Sequence, residues 1–87
     1  MKKTLDEMFA TRLEEVAHMA ADAIVEATGD ESAPHVQTFR QFDPTRSQLP
    51  ASDLHHLLRT AEHVYGREHP KLSVKLLRYS RVAQRTR

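Results

Sequence analysis

The stretch from Thr4 to Gly29, TLDEMFATRLEEVAHMAADAIVEATG, constrains this chain more than any other. Its spacing predicts one long amphipathic helix over residues 5–28. Thr4 reads as an N-cap and Glu7, three residues on, completes a capping box, in which each side chain satisfies a backbone N–H left over at the helix start. Asp6 and Glu7 set negative charge at the positive end of the helix dipole. Gly29 suits the left-handed closing position that a side chain disfavours. At 100° per residue, Leu5, Phe9, Leu13, Val16, Ala20, Ala23, Ile24 and Ala27 gather on one face, and the carboxylates fall mostly opposite.

That apolar arc is broad. Ala10, Ala17 and Ala21 widen it beyond the stripe that one neighbour needs, and alanines admit a second backbone closely. Met8 and Met19 lie on one flank, where a flexible thioether fills irregular contacts. The plainer reading gives the whole arc to the internal core. The sharper one gives part of it to a second copy or another protein, with Met8, Arg12, Glu15 and Met19 as the partner-binding residues.

After Gly29 the elements are shorter. Residues 30–34, DESAP, are loop by composition. In the following segment Val36, Phe39 and Phe42 recur at three-residue spacing, which favours a short helical turn over 36–42, although the aromatic and β-branched content also suits an extended piece. The two phenylalanines read as core plugs. Asp43-Pro44-Thr-Arg-Ser-Gln is turn chemistry, and 30–50 as a whole reads as an irregular connector. A second helix is expected over about 51–65: Pro50 fits the first turn, Ser52 or Asp53 can cap, and Leu54, Leu57, Leu58, Ala61, Val64 and Tyr65 form a buried stripe. A third, about 71–85, carries Leu72, Leu76, Tyr79 and Ala83 on one face. Val74, Leu77 and Val82 broaden it, and 84–87 reads as a frayed basic tail. The expected fold is all-α: one domain, residues 1–87, with an antiparallel pair of shorter helices along the long one.

The junction Ala61–Leu77, AEHVYGREHPKLSVKLL, resembles the helix junction of tetratricopeptide repeats of the kinesin-light-chain type. Gly66, Glu68-His69-Pro70 and the Leu72/Leu76 spacing carry the resemblance. In that family the stretch joins successive repeats, and arrays bind peptides. The motif occurs once, and a solenoid needs three or more repeats, so here it reads as turn chemistry in which Gly66 stops one helix and Pro70 helps start the next.

Charge decides which functions remain open. Residues 1–33 carry three cations against eight carboxylates, residues 34–66 three of each, and residues 67–87 seven cations against Glu68 alone. The blocks are therefore −5, 0 and +6 within a net charge of +1. Either the basic tail meets an anionic partner, or the acidic first helix neutralises the basic third within the fold. Arg67, Lys71, Lys75, Arg78, Arg81 and Arg85 are the candidate nucleic-acid contacts, and such contacts would be salt-sensitive. Against a helix-turn-helix, the Gly66–Pro70 connector exceeds the tight turn of that motif, and the third helix has large apolar residues where a reading helix needs polar ones.

Catalytic chemistry finds little support. With no cysteine and two glycines, neither a thiolate nor a glycine-rich phosphate loop is available, and no serine or threonine has a visible partner set. Six histidines invite a metal, and Glu14, His18 and Asp22 share a stripe, as do His56 and His63. No HExxH or Cys/His grouping exists, so no metal, cofactor or small-molecule substrate is expected, and the histidines read as solvated or ion-paired. Their protonation below neutral pH would make partner binding pH-sensitive. Met1-Lys2-Lys3 begins no secretory signal and no run of about 20 apolar residues exists to span a bilayer, so a cytoplasmic protein is expected. The reading is a non-enzymatic helical interaction protein that binds another protein or itself as a homodimer. The alternative is a nucleic-acid-binding regulator.

Overall fold

The computed structural model describes residues 5–85, with backbone alone for 5–7 and 9. Among the described residues every regular element is a helix. α1 spans Leu5–Thr28, α2 Pro34–Arg40, α3 Pro50–Tyr65 and α4 Pro70–Arg85, with a 3-10 turn at Pro44–Arg46. The expected long helix and helical pair are therefore present. Thr4 of the capping box, and the side chains of Leu5, Asp6, Glu7 and Phe9, lie outside what is described.

Each of the chain's four prolines opens one of the four elements after α1. Proline suits a first helical position because its missing N–H has no intrahelical partner there, and its ring presets φ. Gly29 closes α1 with φ 72°, and its N–H reaches Val25 O at 2.7 Å. The supposed irregular connector between 30 and 50 is thus partly ordered. α2 begins two residues before the expected turn, at Pro34, and Val36 and Phe39 are fully buried. Asp43 organises the 3-10 turn by accepting from Thr45 N at 3.0 Å and Thr45 Oγ1 at 2.6 Å. Before α3, Ser47 rather than Ser52 does the local bonding: its hydroxyl accepts from Leu49 N at 3.2 Å and donates to Asp53.

The core runs along α1. Leu13, Ala17, Ala20, Ala21 and Ile24 are buried, and Phe39, Leu54, Leu58, Leu72 and Leu76 close over them. The breadth of the α1 arc is thereby used inside the fold, with α2, α3 and α4 all packing against the helix. Three expected core positions are exposed instead. Val74 is 58% exposed, because at 100° per residue it sits on the far side of α4 from Leu72 and Leu76. Val64, 52% exposed, falls outside the arc centred on Leu54, Leu58 and Ala61. Ala27, in the last turn of α1, lines an open groove.

α3 and α4 lie antiparallel, joined by two polar rungs. Ser73 Oγ donates to Glu62 Oε1 at 2.8 Å, and Ser80 Oγ is bonded to His55 Nδ1 at 2.6 Å. The partners are seven residues apart on each helix, two turns, so both rungs lie on one seam. Gly66 ends α3 with φ −64°, and its value is space rather than handedness. A Cβ there would come 2.5 Å from Glu62 O and 3.3 Å from Ser73 Cβ.

Candidate functional site

α4 turns two opposite chemistries outward and inward. Its 16 residues, PKLSVKLLRYSRVAQR, contain no carboxylate. With Lys71 as reference, Lys75, Arg78, Arg81 and Arg85 all fall within an arc of roughly 120°, together with Val74 and Val82. All five cations are exposed. From Lys71 to Arg85 the ridge is about 21 Å long at the usual helical rise. Arg67, the sixth predicted contact, is exposed in the turn before α4, beside a hollow that it lines with Glu62, His63 and Gly66.

Neutralisation from within the fold is slight. Lys75 Nζ stands 3.8 Å from Glu26 Oε2, and both side chains are well exposed. Among the described residues, Lys71, Arg78, Arg81 and Arg85 have no ion pair. Among the described residues, the other α1 carboxylate with an ion pair looks elsewhere: Asp22 holds Arg40 at 3.2 Å, and Glu31 in the following loop holds the same guanidinium at 3.3 Å.

The predicted partner-binding residues form a second surface. Met8 is 55% and Met19 47% exposed, and Arg12 and Glu15 between them are exposed too. The four share one stripe of α1, at spacings of four, three and four residues.

The histidines divide. Glu14, His18 and Asp22 are exposed, as are His56 and His63, and among the described residues no three His, Cys, Asp or Glu side chains are grouped to hold a metal ion. His55 and His35 are not the solvated residues anticipated. His55 is half-buried against Ser80, itself 3% exposed. His35 packs edge-on to Tyr65 with ring centroids 5.4 Å apart and Nδ1 3.4 Å from its hydroxyl. These contacts join residues 25 and 30 positions apart, which no local pattern could pair. A buried serine needs a hydrogen-bond partner, so the Ser80–His55 pair is a structural fastening between helices.

A groove of about 400 Å³ lies where the last turns of α1 meet the first of α4, floored by Ala23, Ala27 and Leu72 and rimmed by Glu26, Lys71 and Lys75. No helix among the described residues is long and apolar enough to cross a membrane. Comparison with protein families, curated proteins and solved structures finds no match for the chain.

Proposed function

We propose that this protein is a non-enzymatic binding module whose α4 ridge engages the phosphate backbone of nucleic acid. The observation that carries the proposal is the ridge itself: five exposed cations on one helix face, one of them in a single long, exposed ion pair. A length of about 21 Å equals roughly six base-pair steps of duplex axis, at about 3.4 Å of axis per phosphate of each strand. The ridge offers cations and the exposed Val74 and no amide or hydroxyl, which suits contacts that position a protein on the backbone and carry no sequence information. Tyr79 is half-buried with the core and leaves the ridge without an aromatic platform, which favours duplex over stacked single strands. The antiparallel seam of α3 and α4 differs from the steep crossing of a helix-turn-helix, so α4 acts as an edge laid along the backbone, not as a reading helix.

Labelled duplexes of two unrelated sequences, titrated at low salt with fluorescence anisotropy as readout, test this. Equal affinities in the micromolar range are expected for both. An absence of binding at low salt sinks the reading.

A protein partner is the second reading, favoured by the exposure of Met8 and Met19. Affinity capture from the native cell with nuclease treatment separates the two. A companion retained after digestion supports the protein partner, and one lost with the nucleic acid supports the ridge.

A further inference from the structure

The exposed stripe on α1 has the same spacing from either end, with arginine and glutamate exchanging places. Met8, Arg12, Glu15 and Met19 are spaced four, three and four residues apart, the alternation of a coiled-coil seam. An isologous contact requires that when residue i meets residue j of the other copy, j also meets i. Laid antiparallel on a second α1 about a two-fold axis between residues 13 and 14, this stripe sets Met8 opposite Met19 and Arg12 opposite Glu15. Symmetry repeats each contact, giving four layers in which thioether meets thioether at the ends and guanidinium meets carboxylate twice in the middle.

We propose that α1 is a self-association surface whose occupant is a second copy of this chain, packed antiparallel in that register. Arg12 and Glu15 are exposed and have no ion pair among the described residues. Their complementarity is therefore available to another molecule. Asp22, the next carboxylate on the seam, is already held by Arg40 at 3.2 Å. A parallel pairing would set Arg12 against Arg12 and Glu15 against Glu15, and like charges facing each other oppose it. The four layers extend about 17 Å along the helix. A single seam of that length falls short of the roughly 800 Å² per partner typical of stable complexes, so the dimer is concentration-dependent rather than obligate. This surface shares no residue with the α4 ridge, and the inference stands or falls apart from nucleic-acid binding.

Sedimentation equilibrium of the full chain without nucleic acid is the test. Wild type is expected to shift from monomer to dimer as concentration rises through the micromolar range. Arg12→Glu and Glu15→Arg each place two like-charge layers at the seam and should weaken association by about tenfold or more. The double variant R12E/E15R restores complementarity and should recover wild-type association within a few-fold. Circular dichroism confirms folding of each variant, as expected for exposed positions. Because the chain has no cysteine, register is read from Met8→Cys and Met19→Cys. The two variants mixed should form a disulfide-linked heterodimer in preference to either homodimer. A wild type that stays monomeric at high concentration, a double swap that fails to rescue, or preferential homodimer disulfides would overturn the proposal.

Discussion

α4 meets its two long neighbours in different ways. Against α3 it lies in a fixed register, with Leu72 and Leu76 buried beneath and two side-chain hydrogen bonds, Ser73–Glu62 and Ser80–His55, seven residues apart on each helix. Against α1 it shares the common apolar core and an exposed ion pair of 3.8 Å. The charge blocks of the sequence point to the second pairing and are silent about the first. A large charge difference between segments need not become a contact, because each amphipathic helix turns its charged face away from the core and so away from its neighbours. α1 and α4 bury their apolar faces together and leave most of their opposite charges on separate outer surfaces, with Glu26–Lys75 as the ion pair between them. Among the described residues, Lys71, Arg78, Arg81 and Arg85 of the basic ridge have no ion pair for that reason.

The comparison can be broken or sharpened by mutation. The largest effect is expected beneath the α3–α4 seam. Leu76→Ala removes a fully buried side chain and should cost about 2–5 kcal/mol in urea unfolding, whereas Arg78→Ala on the outer face should change stability by less than about 0.5 kcal/mol. Next comes the buried rung. His55→Ala leaves the Ser80 hydroxyl without its partner and should cost about 1–3 kcal/mol, and a double-mutant cycle with Ser80→Ala should show coupling above about 0.5 kcal/mol. At the α1–α4 contact, Glu26→Gln should alter stability by less than about 0.5 kcal/mol, as befits an exposed pair. A loss above about 1 kcal/mol there would mean that α1 does neutralise the ridge.

The smallest effect is alkaline. Burial, and after it the Asp30 carboxylate, raise the Tyr65 phenol above its usual 10.0. The folded chain then holds this proton to higher pH than the unfolded chain. The contribution is fully present below the unfolded value and is lost as pH climbs through the folded one. Urea titrations from about pH 9 to 11 should show wild type losing slightly more stability than Tyr65→Phe.

Much of this fold is legible in the residues. The 3.6-residue period of α1, α3 and α4 follows from the apolar spacing, and Gly29 takes the left-handed turn that its position at the end of α1 suggests. The four prolines mark four element starts, although Pro34 and Pro44 read locally as the end of a loop and part of a turn. Val64 and Val74 mislead because apolar character alone does not say which side of the arc a residue takes. The seam between α3 and α4 escapes the sequence for a different reason. Ser73, Ser80, His55 and Glu62 are ordinary polar residues until the register of two helices brings them together. The ridge itself is visible as a run of cations, but that it meets one carboxylate, Glu26, among the described residues is a property of how the helices are turned.

The salt dependence of duplex binding tests the central claim, that the outer face of α4 is a largely unneutralised phosphate-binding ridge. With four to five ridge cations each displacing a counterion, log affinity plotted against log salt should fall with a slope of about −4. Arg78→Ala/Arg81→Ala should make that slope shallower by roughly 2, with folding intact. A slope near zero, or one that the double variant leaves unchanged, would contradict the account.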